Sequence, residues 1–237
     1  MNPLDAAILR FLNQYAQRSY AFDSLVGLFE TNTLIKGGLA MALFWWLWLR
    51  PDSVTEHRRV LLFGLVTSFT AVLVSRALAL LLPFRQRPMR DPLLHFRVPY
   101  SLNLNTLIGW SSFPSDHAAL FFSLAVTFFF LSRRLGFVSL AYTFVVICFP
   151  RLYLGIHYPT DILAGAFIGV SIAMSGQATR LRDAVTDPVL RWIESRQPTG
   201  YALLFVYTLT LAELFDPVRQ VGSVVFKIAK FTMYGHV

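Results

Sequence analysis

Two short stretches of this chain carry side chains able to move a phosphoryl group. One reads Ser112-Phe-Pro-Ser-Asp-His117, and the other runs from Arg151 through His157 to Asp161. The first opens an apolar run, Ala118 to Leu131, and so reads as the first turn of a helix entering a membrane. Pro114 suits that turn, where a missing N–H costs nothing. Ser112 is placed to cap it, which puts Ser115, Asp116 and His117 on the opening turn. A helix opening offers unpaired amides and partial positive charge, a cradle for phosphate. In the second stretch Pro159 again marks a helix start, with His157 just outside it and Asp161 in its first turn. Asp161 is then placed to accept the Nδ1 proton of His157 and leave Nε2 free to attack.

A third contribution is Arg85-Gln-Arg87-Pro88, whose guanidinium forks match phosphate oxygens. The chemistry assembles as phosphoryl transfer to histidine. His157 attacks phosphorus in line, while Arg87, Arg151, the Ser115 hydroxyl and the helix amides, that of Asp116 included, stabilise the charge. His117 protonates the leaving oxygen and then activates water against the phosphohistidine. Each piece has a plainer counterpart. Single histidines are often structural, arginines beside a membrane often anchor in lipid, and a His-x-x-x-Asp pair can hold a metal. Converging arginines would repel a divalent cation, and no further carboxylate joins the group, so the expectation is no metal and no cofactor.

The elements that must position these residues are membrane helices. Of 237 residues 55% are hydrophobic and 14% charged, with a mean hydropathy of +0.54. A soluble domain carries about 25% charged residues, so the balance points to a bilayer. Apolar runs at Leu34–Leu49, Val60–Leu82, Pro114–Leu131, Leu135–Pro150 and Pro159–Ala178 read as spans, and Tyr201–Phe215 as a sixth weakened by Glu213. The expected fold is all-α: an integral membrane bundle of five to six spans forming one domain over residues 1–237. Residues 1–30 form an amphipathic N-terminal region, with Leu4, Ile8, Phe11, Leu12 and Tyr15 at helical spacing. No signal-peptide pattern opens it. A tail with Lys227 and Lys230 closes the chain.

The net charge of +8 comes almost wholly from arginine, dispersed between spans, which fits loop topology and anionic lipid better than nucleic acid. The loops 50–59, 132–134 and 179–199 share one side and hold arginines that no motif claims, so that side is expected to be cytoplasmic. Residues 83–112, the Ser112–His117 turn and the 150–159 connection then meet at the external face. The long proline-punctuated segment 83–112 reads as an ordered cover. The single cysteine, Cys148, excludes an internal disulfide and a cysteine metal cage.

Pro114-Ser115-Asp116-His117, Arg151 through His157 to Asp161, and Arg87-Pro88 resemble the three-part signature of the type 2 phosphatidic acid phosphatase superfamily. That signature is Lys-x6-Arg-Pro, Pro-Ser-Gly-His and Ser-Arg-x5-His-x3-Asp, and the resemblance covers residues 60–178. It implies a metal-independent membrane lipid phosphatase, a six-helix bundle and a site near the outer leaflet. The Pro-Ser-Asp-His version is similar to that of bacterial undecaprenyl diphosphate phosphatases. The implied setting is the bacterial inner membrane, with the site toward the periplasm, acting on undecaprenyl diphosphate among the membrane lipids. Phosphatidylglycerol phosphate, phosphatidic acid or lipid A phosphatases, and lipid phosphotransferases, fit the same motifs; a lipid-binding or transport protein is the non-enzymatic alternative. No feature sets an oligomeric state.

The chain departs from the signature in three places. Pro150 replaces serine where a helix ends. Asp116 replaces glycine, so its carboxylate is expected to turn away from phosphate. Leu80 stands where the lysine belongs, leaving Arg76 and Arg85 as substitutes. Helical side chains lean toward the N-terminus, which carries Arg76 away from the external face. The expectation is therefore Arg85 on phosphate and Arg76 in support.

Overall fold

A computed structural model of the chain describes residues 2–51, 55–103, 105 and 107–215. The expected tail with Lys227 and Lys230 lies outside them. Among the described residues every regular element is helical. The chain runs through α1 (Pro3–Asn13), α2 (Tyr20–Thr31), a π-helical turn Leu34–Gly38 continuing into α3 (Leu39–Leu49), and α4 (Thr55–Leu81). Two 3-10 turns, Pro88–Arg90 and Pro92–Leu94, break the long connection to α5 (Asp116–Leu131). α6 (Arg133–Tyr142) continues through a π-helical stretch, Thr143–Cys148, into α7 (Phe149–Tyr153). Then follow α8 (Pro159–Met174), α9 (Thr179–Ser195) and α10 (Gln197–Ala212).

Two stretches are long and apolar enough to cross a membrane, Thr55–Leu81 and Arg133–Tyr153, or three if the bent pair α8 and α9 makes one span. Leu34–Leu49 and Asp116–Leu131 are shorter apolar helices. The described residues thus form an all-helical chain with two to three helices able to cross a membrane by this measure, a coarser result than the five to six spans expected.

α4, α5 and α8 pack together at the centre, and α5 against α8 is the most extensive pairing. Its cause is glycine. A Cβ on Gly165 would sit 2.2 Å from the Ser115 carbonyl oxygen, and one on Gly169 2.2 Å from that of Ala119. Small residues one turn apart let two membrane helices touch backbone to backbone. The openings of α5 and α8 meet as a result, and the Ser115 amide donates to the Asp161 carbonyl at 3.1 Å.

Local capping fixes where those helices begin. Ser115, not Ser112, caps α5, accepting from the Ala118 amide at 3.4 Å. Pro114 therefore precedes the helix instead of opening it. Asp161 accepts from the Tyr158 amide at 2.8 Å and closes the first turn of α8. Residues 83–112 are an ordered cover over their described length. Asn13 and Gln17 donate to the carbonyls of Arg97 and Val98 at 2.7 and 2.8 Å, and the Met89 amide donates to the Gly155 carbonyl at 2.9 Å. At the other end of the bundle, Arg182 pairs with Glu56 at 2.5 Å and Arg59 with Asp187 at 2.7 Å, strapping α9 to α4.

Candidate active site

The C-terminal end of α4, the cover segment and the openings of α5 and α8 enclose a cavity of about 430 Å³. Arg76, Arg87, Trp110, Asp116 and His157 line it, beside Ser75 and Leu80. His157 is buried, and its Nδ1 lies 2.7 Å from the Ser112 carbonyl oxygen. A carbonyl only accepts, so Nδ1 carries a proton, and in the neutral ring Nε2 then holds the lone pair. The Asp161 carboxylate, 3.5 Å from Nδ1, is the more distant partner. The tautomer expected from Asp161 is thus set first by a backbone oxygen, because Asp161 is already committed to Tyr158 and to Arg85.

His117 has a carboxylate at Nδ1: Asp116 Oδ1 lies 2.9 Å away and also accepts the His117 amide at 2.8 Å. Asp116 Oδ2 holds Arg76 Nη2 at 2.9 Å. The aspartate expected to turn aside instead lines the cavity. At the head of a helix it satisfies a free amide, a ring nitrogen and a guanidinium at once. Arg76, expected to lean out of reach, also lines the cavity, drawn by that carboxylate and by the Trp110 ring 5.5 Å from its guanidinium carbon.

Arg85 stands differently from the expectation. Its two arms are taken by Asp161 Oδ1 at 2.5 Å and Asp5 Oδ2 at 2.8 Å, and its guanidinium lies 4.0 Å over the Tyr158 ring. Two buried carboxylates outbid the cavity for its charge, and Arg85 is not among the lining residues. Arg151 is likewise held elsewhere, 3.0 Å from Glu30 on α2 and donating to the Ile147 carbonyl at 2.8 Å. Ser115 is fully buried as a cap. His157, Arg87 and Asp116 therefore share the cavity with Arg76, His117 adjoins it through Asp116, and Arg85, Arg151, Ser115 and Asp161 stand behind it.

Arg87 clamps the two segments that carry the reactive ring. It donates to the carbonyls of Ile156 at 2.8 Å and Ser111 at 3.2 Å. Its Nε is buried without a hydrogen-bond partner among the described residues. Burial pulls its guanidinium down to about 10, against the opposing pull of Asp116 and Asp161, so it stays charged at neutral pH. A nucleophilic nitrogen, two guanidinium groups and a second imidazole at one cavity can perform phosphoryl transfer. Asp5, Glu30, Tyr158 and Trp110 were missed in the sequence reading. For Asp5 and Glu30 the one signal was an acidic residue within an amphipathic N-terminal helix; Tyr158 and Trp110 gave none.

A helical membrane protein with paired histidines at an arginine-lined cavity is the architecture of a lipid phosphatase. Residues 60–179 match the PAP2 superfamily, and the chain belongs to it. It is 33% identical to the lipid A 1-diphosphate synthase of Escherichia coli over 83% of each chain. It is 27% identical to a putative undecaprenyl-diphosphatase of Escherichia coli over 64% of this chain and 71% of the relative. A Bacillus subtilis undecaprenyl-diphosphatase is 22% identical over 70% of this chain and 78% of its own. No solved structure matches the chain.

Proposed function

We propose that this chain is a single-domain lipid phosphatase that converts undecaprenyl diphosphate to the monophosphate through a phosphohistidine at His157. The observation carrying this reading is the His157 ring, whose Nδ1 is tied to the Ser112 carbonyl and which lines a cavity shared with Arg76 and Arg87. Nε2 attacks phosphorus, and the bond to the bridging oxygen breaks as His117 delivers its proton. His117 then takes a proton from water, which displaces phosphate from His157. Arg76 and Arg87 balance the charge on the equatorial oxygens. Arg76 and Arg87 supply positive charge at the cavity, and the hydrolysis we propose uses no divalent ion. The bundle crosses the bacterial inner membrane five or six times with this cavity toward the periplasm.

A second reading is phosphoryl transfer to lipid A, favoured by the similarity over most of the chain to a lipid A 1-diphosphate synthase. Both readings share the phosphohistidine and differ in the acceptor. The test is phosphate release by purified protein from isoprenyl and glycerolipid phosphates, in EDTA, with and without lipid A. Release from undecaprenyl diphosphate without lipid A supports hydrolysis, and turnover only with lipid A supports transfer. His157→Ala abolishes both. His117→Ala with an activated leaving group accumulates label on His157, and normal turnover of His157→Ala sinks the mechanism.

A further inference from the structure

The N-terminal helix reaches into the site through its one acidic residue. Asp5 is fully buried against the opening of α8. Its Oδ1 accepts the Thr160 amide at 2.9 Å, so it caps α8 from another helix. Its Oδ2 accepts the Thr160 hydroxyl at 2.6 Å and Arg85 Nη2 at 2.8 Å. The other arm of Arg85 reaches Thr160 Oγ1 at 2.9 Å and Asp161 Oδ1 at 2.5 Å. Asp161 Oδ2 is left to the Tyr158 amide at 2.8 Å and, at 3.5 Å, to His157 Nδ1. Tyr158 lies flat beneath Arg85 and donates its hydroxyl to Asp91 at 2.8 Å. A row results, Asp5–Arg85–Asp161–His157, with both carboxylates and the ring buried and Arg85 half-buried between residues far apart in the chain.

We propose that Asp5 is a positioning residue of the phosphoryl-transfer site, holding Asp161 and through it His157 by dividing Arg85 between two carboxylates. The inference rests on His157 being the nucleophile. A guanidinium fork prefers to close on one carboxylate with both arms. Asp5 prevents that closure by taking one arm and the Thr160 hydroxyl. Without its charge, Arg85 swings both arms onto Asp161 and drags Oδ2 from the Tyr158 amide. The His157 ring then loses its second support and turns about the Ser112 hydrogen bond. A small misplacement of a reacting atom is costly in rate and nearly neutral in substrate affinity. Asp5, Arg85 and Asp161 do not line the cavity and only His157 at the end of the row meets substrate, so KM is expected to hold.

The experiment is a double-mutant cycle on the full chain in detergent, reading kcat, KM and phosphohistidine formed per mole of protein. Asp5→Asn is expected to lower kcat about tenfold to a hundredfold with KM within about twofold of the parent. Because one unpaired buried charge destabilises a fold, Arg85→Gln and the pair Asp5→Asn/Arg85→Gln are measured alongside. In the Arg85→Gln background, adding Asp5→Asn is expected to change kcat by less than about twofold, since the residue it acts through is gone. Equal effects of Asp5→Asn in both backgrounds overturn the proposal, as does kcat per labelled site unchanged in Asp5→Asn. If Asp5→Asn does not fold, the pair decides: kcat matching Arg85→Gln supports the proposal, and a further large loss overturns it. Failure of the parent protein to form phosphohistidine overturns the function reading itself, a result distinct from any of these.

Discussion

Carboxylates decide which arginine faces the cavity. Arg85 is claimed by Asp5 and Asp161, whereas Arg76 is held at the cavity wall by Asp116. Arg76→Ala is therefore expected to cut kcat/KM about a hundredfold, on the scale of about 2–4 kcal/mol for one lost transition-state contact, with thermal unfolding little changed. Arg85→Gln leaves two buried carboxylates uncompensated and is expected to cost about 3–5 kcal/mol of stability, read as an earlier unfolding transition in detergent. An active Arg76→Ala beside an unaltered melting curve for Arg85→Gln would reverse these roles. At this scale residue types were legible in the sequence and directions were not. The pattern around His117, His157 and Asp161 declared phosphoryl chemistry, yet the outcome for Arg76 turned on Asp116, forty positions later in the chain. A rule about side-chain lean cannot outweigh an ion pair at 2.9 Å.

Helices were legible as elements because long apolar runs admit little else in a bilayer. Their openings shifted where capping chemistry had two candidates: Ser112 and Ser115 both precede His117, and only Ser115 lies three residues before a free amide it reaches. The inward face of α1 was not legible from its apolar spacing. Leu4, Phe11 and Tyr15, at helical spacing, are exposed, while Asp5, Ala6 and Leu9 are buried. Lipid tails are as apolar as leucine, so packing inward gains the apolar face nothing over lipid, and the polar contact of Asp5 sets the rotation. Between α5 and α8 the determinant is the pair Gly165 and Gly169. Any Cβ at Gly169 meets the Ala119 backbone at 2.2 Å, which no side-chain adjustment relieves. Gly169→Val is expected to separate the two helices and cost about 1–3 kcal/mol or more by overpacking. Thermal unfolding and turnover are expected to fall together, since Ser115 and Asp161 lose register. Full activity at the parent melting temperature would show that the α5–α8 contact does not position the site.

The whole molecule is polar at both ends and divided in its chemistry. One end gathers Arg59 and Arg182 in ion pairs that strap α9 to α4, and the other gathers Arg76, Arg87 and both histidines around the cavity. The arginines at the first end neutralise neighbouring acids, and Arg76 and Arg87 at the second line the cavity. Loop arginine sets orientation in membranes, so the strapped end is expected in the cytoplasm and the cavity outside. Cysteine labelling decides this cleanly, because the single native thiol, Cys148, is buried at 1% exposure and gives no background. Ile108→Cys, at a position 62% exposed in the cover segment, is expected to react with an impermeant maleimide in intact cells. Glu194→Cys, on the exposed face of α9, is expected to react only after the membrane is opened. The reverse pattern would put the cavity at the cytoplasmic leaflet. The case for an enzyme acting on externally exposed lipid would then fall, even with every catalytic residue in place.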